Sequence, residues 1–216
     1  MKLFNIFVLG LALTFSIHSK AQDPEQLVFK STKLLKPFPV VGSLEEQKDI
    51  ETLLDYQNTR TEEQCAKASI EDKVSLEIFF GGKDGVLTNA EIKKAKKHLT
   101  LKMAITALNI EVAKRHFNRA RPYITHPEIK PCIPLEKSKS YPSGHTTLSR
   151  MYAIVLGEIF PDRKEQLLER ANEIAMHRVL GGVHHPSDIE AGKILGSYLG
   201  KKFIRSSEFQ SFQNEI

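Results

Sequence analysis

MAITALNIEVAKRHFNRAR, residues 103–121, sets two cations on a face that is otherwise apolar. Met103, Ala107, Ile110, Lys114, Phe117 and Arg121 follow one another at steps of four, three, four, three and four, which is the spacing of one side of an α-helix. The stretch belongs to a helix expected from Asn89 to about Arg119. Lys114 and Arg121 are seven residues apart, about 10.5 Å along an ideal axis. Both reach one centre only if the helix stops before Pro122 or the two long side chains converge. The residue before a proline avoids helical geometry, so Arg121 is expected at the helix end.

Outward from this segment the chain reads as helical. Glu45 to about Phe79 favours helix with breaks, and further helices fit Thr146–Ile159, Arg163–Arg178 and Ser187–Phe203; no alternating strand pattern is convincing. At 216 residues, with 41% apolar and 26% charged side chains, the chain suits one compact domain. Residues 1–21 combine a cationic start, an apolar run from Leu3 to Ile17 and small residues at Ser19 and Ala21, which reads as an export signal. The run is shorter than the roughly 20 residues that span a bilayer, and no later segment of the sequence is long and apolar enough to do so. Residues 22–43, with LLKPFPVVGS, are expected to lie extended over the domain formed by 22–216.

Loss of Lys2 and Lys20 with the signal lowers the formal charge from +5 to +3, so no broad nucleic-acid or membrane surface is implied. Cys65 and Cys132 would enter an oxidising compartment, where one disulfide can form, although their spacing does not say whether they meet. In KDGVLTNAEI, taking Gly85 as the turn glycine of a calcium loop puts Phe80 and Gly82 where carboxylate ligands belong, so the segment reads as a turn and a capped helix start.

The pattern of a charge on an apolar stripe recurs. Leu167, Ala171, Ile174 and Arg178 share one face, and Asp188, Gly192, Leu195 and Leu199 another. A desolvated charge needs a partner. If Asp188 pairs with one of the cations, at least two lack a carboxylate at a comparable position, and a bound anion is the economical counter-charge. YPSGHT, residues 141–146, places the amides of Ser143 and Gly144 at a helix start, where free N–H groups and the helix dipole favour anions, with His145 beside them. In HRVLGGVHHPSD, residues 177–188, Asp188 follows His184 by four residues. Within a first helical turn that spacing lets the carboxylate hold one imidazole nitrogen and leave the other as a nucleophile. A zinc site from His177, His184 and His185 is disfavoured, because adjacent histidines diverge and no further ligand falls at a suitable spacing.

KRHFNRARP (114–122), PSGH (142–145) and RVLGGVHHPSD (178–188) together resemble the three-part signature of the phosphatidic acid phosphatase type 2 superfamily, with bacterial class A nonspecific acid phosphatases as the nearest likeness. The PFPVVGS and DYQNTR segments are similar to the N-terminal half of those enzymes. The resemblance implies an all-α, single-domain helical bundle of the phosphatidic acid phosphatase type 2 and vanadium haloperoxidase type. It implies His184 as the nucleophile that forms a phosphohistidine, Asp188 as its orienting partner and His145 as the general acid and base. Lys114, Arg121, Ser143, Gly144 and Arg178 would hold the phosphoryl oxygens, with no metal or other cofactor. His177 stands where the family usually has serine, and Tyr123 is a candidate wall for the leaving group.

The expected activity is hydrolysis of small-molecule phosphate monoesters by a periplasmic or secreted enzyme, without nucleic-acid partners or stable membrane insertion of the mature chain, and with a homo-oligomer among the options. Hydrolysis of lipid or polyprenyl phosphates is the alternative. A vanadium-dependent haloperoxidase and a phosphate-binding protein without turnover stand further off.

Overall fold

The computed structural model describes residues 32–82 and 85–213, so the expected export segment at 1–21 lies outside the described residues. The described elements are helical, as expected: α1 Leu44–Thr59, α2 Glu62–Ile70, α3 Leu76–Phe80, α4 Asn89–Phe117, α5 Pro122–Thr125, α6 Gly144–Ile159, α7 Lys164–Leu180, α8 Pro186–Ile204 and α9 Ser207–Gln213. Local chemistry sets most starts. Ser43, Thr61, Ser75, Thr88 and Ser143 each accept a backbone N–H from the first turn of the helix they precede, and Thr61 with Gln64 and Thr88 with Glu91 complete reciprocal capping boxes.

The long helix α4 ends two residues before the expected Arg119. Asn118 adopts a left-handed conformation with φ 53° and donates its N–H to the Lys114 carbonyl, a role in which asparagine is tolerated because its short polar side chain suits that geometry. Arg121 therefore leaves the stripe that carries Lys114 and instead precedes Pro122 at the start of α5. Residues 32–34 are helical, while 36–40 have no regular structure, and Phe38 packs its ring 5.8 Å from that of Tyr141. The short helices α5 and α9 were not expected. Each has few residues on which a period could register, and α9 is held by Phe209 and Phe212, which are buried in the main core.

Helix α6 lies at the centre, packed most extensively against α8 and α7, with α4 across it. Its sequence is apolar or small on nearly all sides, and eleven of its sixteen residues, from His145 to Gly157, are buried, which is the pattern of a helix surrounded by others. The α6–α8 contact is close because α8 carries glycine at 192, 196 and 200, one per turn. A Cβ on Gly196 would stand 2.4 Å from the Thr147 carbonyl oxygen and 2.9 Å from Arg150 Cβ, and one on Gly192 would stand 2.9 Å from the Ser143 carbonyl oxygen. This approach brings the start of α6 against the first turns of α8. A disulfide between Cys65 on α2 and Cys132, with S–S 2.04 Å and Cα–Cα 5.8 Å, ties the irregular segment between α5 and α6 to the N-terminal helices.

Backbone atoms of α6 cannot rotate away from an added methyl group. Gly196→Ala is expected to lower stability by about 1–3 kcal/mol, read as a lower urea midpoint at unchanged slope.

Candidate active site

The turn between α7 and α8 presents His184, and the first turn of α8 presents Asp188. Nδ1 of His184 lies 3.1 Å from Oδ2 of Asp188, and both residues are buried. Asp188 also accepts from the Ser140 hydroxyl at 2.5 Å, the His185 amide at 2.9 Å and Arg119 Nη1 at 2.7 Å. Burial alone would raise its pKa. The hydrogen bonds from the two imidazoles and the charge of Arg119 outweigh burial and hold it well below the usual carboxylate value. On the far side of the ring, Nε2 of His184 lies 2.9 Å from Arg121 Nη1. A guanidinium can only donate, so Nε2 is the accepting nitrogen and Nδ1 carries the proton given to Asp188. Burial, reinforced by Arg121, pushes the His184 pKa well below its ordinary value and keeps the imidazole neutral.

Three cations converge from three parts of the chain. Lys114 on α4 is buried, with Nζ donating to the carbonyl oxygens of Lys139 and Ser140; burial and the nearby Arg121 push its ammonium down to about 7. Arg121 is aimed by its own hydrogen bonds, from Nε to the Ser138 carbonyl and from Nη1 to the Val183 carbonyl, both 2.9 Å. Arg178 near the end of α7 is fully buried. Its Nη2 donates to Glu136 at 2.6 Å and Asp72 at 3.3 Å, whereas Nε and Nη1 have no hydrogen-bond partner. Buried charged donors without acceptors are costly, so this pair of nitrogens points to an oxyanion.

Glu136 corrects the expectation that the cations stand without a carboxylate. Its side chain reaches Arg178 through Oε1 and Arg121 through Oε2 at 3.2 Å, and Oε1 lies 3.5 Å from Nδ1 of His145. Burial opposes its charge, but Arg121, the two histidines and Arg178 prevail and hold the carboxyl at about 2. The sequence missed it because Glu136 sits in an irregular loop, where no period marks a side chain as inward. Asp72, Glu136 and His145 place one potential metal-ligand atom each within 4.8 Å of one another. Arg178, bonded to both carboxylates, already supplies positive charge there.

Lys114, Arg121, Glu136, Gly144, His145 and His184 border one cavity of about 220 Å³, whose apolar wall includes Val74, Ala107, Ile110 and Leu148. Gly144 opens α6 at this cavity, where a Cβ would lie 3.6 Å from Ile110 Cγ2 and 4.0 Å from Lys114 Cε. Ser143 takes a different part from the one expected of it. Its amide donates to the Asp188 carbonyl at 3.0 Å, and its hydroxyl oxygen accepts from the Thr146 amide and lies 3.0 Å from the Thr146 hydroxyl, so it caps α6 and does not border the cavity. Nε2 of His145 donates to the Asp72 carbonyl at 3.1 Å, which turns Nδ1 toward Glu136. Burial and the Arg178 charge push its pKa down to about 4.

Residues 96–210 match the family model described as the PAP2 superfamily. The chain belongs to the PAP2 superfamily. A non-specific acid phosphatase of Providencia stuartii is 32% identical over 189 residues, covering 83% of this chain and 76% of that one. A non-specific acid phosphatase of Salmonella typhimurium is 35% identical over 108 residues, which span 48% of this chain and only 42% of the relative. A lipid A 1-phosphatase of Rhizobium etli is 28% identical over 138 residues, 58% of this chain and 60% of that protein. Among solved structures, a transmembrane PAP2 type phosphatidylglycerolphosphate phosphatase from Bacillus subtilis superposes with TM-score 0.58 at 17% identity, over 89% of this chain and 96% of that one. A bacterial vanadium-dependent iodoperoxidase gives 0.59 at 22%, over 86% and 54%. At those identities the likeness is one of fold. No helix among the described residues of this PAP2 chain is long and apolar enough to cross a membrane.

Three PAP2-region side chains have roles outside the cavity. Arg119, which no helical period in the sequence marks, joins Asp188 to Asp49 on α1, at 2.7 and 3.2 Å. The signal for it was the need of a buried aspartate for a counter-charge, in a motif that holds a further arginine two residues before Arg121. His177 faces away toward Glu71, with Nδ1 2.7 Å from Oε2, and so braces the segment that carries Asp72. Tyr123 does not wall the cavity; its hydroxyl donates to the Glu136 carbonyl at 2.9 Å.

Removing Arg119 leaves two buried carboxylates short of their cation, so Arg119→Ala is expected to cost about 3–5 kcal/mol in chemical denaturation. The pKa of Asp188 is depressed in the folded state. Its contribution to stability is full above the unfolded value of 3.8 and is lost as pH falls below it; the unfolding midpoint of Asp188→Asn should lack that acid-side decline.

Proposed function

We propose that this protein is an exported, metal-independent phosphatase that hydrolyses phosphate monoesters through a phosphohistidine on His184. One observation carries the reading: a fully buried arginine, Arg178, keeps two donors unpartnered just behind Glu136, which joins it to Arg121 and to the cavity bordered by the neutral His184 imidazole. Membership of PAP2 and the acid phosphatase names of the Providencia and Salmonella relatives support the reaction class. The expected leader at 1–21 and the Cys65–Cys132 disulfide support export to an oxidising compartment.

A phosphoryl group entering the cavity takes hydrogen bonds from Arg178, Arg121 and Lys114. Arg121 then gives up its bond to His184, and Nε2 attacks phosphorus from the side opposite the leaving oxygen. The bond to the ester oxygen breaks as the bond to nitrogen forms, and Asp188 stabilises the imidazolium through Nδ1–H. His145, protonated on Nδ1, delivers its proton to the leaving alcohol; the Asp72 carbonyl on Nε2 keeps that nitrogen facing the cavity. A dianionic ester raises the proton affinity of His145 above that of the free protein. In the second step His145 takes a proton from water, whose oxygen bonds to phosphorus as the bond to His184 Nε2 breaks, releasing inorganic phosphate and neutral His184. The rate gain comes from positioning and charge neutralisation, the terms on which phosphoryl transfer depends.

The apolar wall of Val74, Ala107, Ile110 and Leu148 favours a second reading, a lipid phosphate substrate, in line with the lipid A 1-phosphatase relative. A panel of soluble esters against micellar lipid phosphates separates the two.

With excess chelator present, an aryl phosphate should still be hydrolysed, and His184→Ala should lose at least about a thousandfold in kcat. Rapid quenching with labelled substrate should leave acid-labile, base-stable label on the wild-type chain and none on His184→Ala; equal turnover by the two would end the proposal. Because an aryl leaving group needs less help from an acid, His145→Ala should slow alkyl phosphates far more than aryl phosphates. The Lys114 ammonium titrates at about 7, and an anion binds its charged form. Thus kcat/KM should fall as pH rises above about 7, and Lys114→Met should flatten that limb while lowering the plateau.

A further inference from the structure

The Glu136 carboxylate stands where a phosphoryl group is proposed to bind. Its two oxygens lie on two different guanidinium groups, Arg178 at 2.6 Å and Arg121 at 3.2 Å, and one of them faces Nδ1 of His145 at 3.5 Å. We propose that Glu136 is a built-in competitor for the phosphoryl group, filling the oxyanion site in the resting protein and rotating out of it when phosphate or a phosphate ester enters. The proposal rests on the phosphatase reading of the site and adds a residue that sets its affinity.

The carboxylate fits this place incompletely. It brings one negative charge and two oxygens to a site with three cations, and Nε and Nη1 of Arg178 remain without partners. A phosphoryl group brings up to two charges and three oxygens, enough to satisfy the nitrogens that Glu136 leaves bare. The resting contact is therefore strong enough to compensate the buried cations and weak enough to be replaced. A lone carboxylate inside a fully matched ion pair would have no such successor.

The surroundings favour rotation of the side chain over movement of the loop. The Glu136 backbone carbonyl is held by the Tyr123 hydroxyl at 2.9 Å, Cys132 is bound to α2, and the Lys130 amide donates to Gln57 on α1 at 2.5 Å. The side chain keeps 20% exposure, against 4% for Arg121 and none for Arg178. It borders the cavity that substrate must use, so its way out is open while the arginines stay in place.

The test is the affinity of the full chain for inorganic phosphate, by calorimetry, in wild type, Glu136→Gln and Glu136→Asp. Removing the competitor's charge should tighten phosphate binding about tenfold or more in Glu136→Gln. Glu136→Asp, one methylene too short to bridge both arginines, should fall between. Without phosphate, Glu136→Gln should melt lower than wild type, because Arg121 loses its carboxylate and Arg178 keeps only Asp72, and phosphate should raise its melting temperature by more. Phosphate binding by Glu136→Gln that is no tighter than wild type overturns the proposal. So does a structure with bound phosphate or vanadate in which Glu136 still contacts both arginines. If wild type hydrolyses an aryl phosphate and Glu136→Gln binds no tighter, the competitor fails and the phosphatase reading stands; if neither form hydrolyses the ester or binds phosphate, both fail.

Discussion

Asp188 has no contact with solvent and must remain charged, and much of the molecule is arranged to keep it so. Five donors from three places meet on its two oxygens: Arg119 just past α4, Ser140 ahead of α6, and the imidazole of His184 with the amide and imidazole of His185 at the start of α8. An isolated ionised carboxylate in such a place would be prohibitive. Fully bonded, it ties the loops at one end of the bundle to the first turn of α8. It also sets the tautomer of His184, so one buried charge serves both the fold and the proposed nucleophile. The Asp188 backbone carbonyl takes the Ser143 amide as well, joining the start of α6 to the same point.

The opposite sign of charge dominates a few ångströms away. Lys114, Arg121 and Arg178 are buried together, and the lowered pKa of Lys114 reflects the cost of its burial and, after that, of the neighbouring Arg121 charge. The protein accepts the cost because the helices that carry these cations are held by apolar packing elsewhere, through Ile110 and Ala113 on α4 and Ile174 and Ala175 on α7. Glu136 offsets part of the excess in the resting state. Two features of the site are thus linked: burial, with the Arg121 charge behind it, keeps His184 neutral, and the same cations supply the field in which an oxyanion is proposed to bind.

The close α6–α8 contact converts this chemistry into fixed geometry. Glycines at 192, 196 and 200 let the helices approach until backbone meets backbone, which places Ser143, Gly144 and His145 beside the turn that carries His184. Side chains on two helix starts are more rigidly placed than side chains on free loops. His177, which replaces a serine expected from the family, supports the same geometry from outside the cavity by holding Glu71 next to Asp72.

What the sequence determined by itself was local. Repeats of three and four residues made the elements helical and put Lys114, Arg178 and Asp188 on inward faces, because helical period and burial are both written in nearest neighbours. The spacing of His184 and Asp188 within one turn likewise foretold their hydrogen bond. Tertiary structure decided which charge meets which. Asn118 ended α4 early and sent Arg119 to Asp188, Ser143 spent its amide on a carbonyl 45 positions away, and an irregular loop carried Glu136 among the cations. Ion pairs across such distances depend on how helices stack and where loops return, and no periodicity along the chain records that.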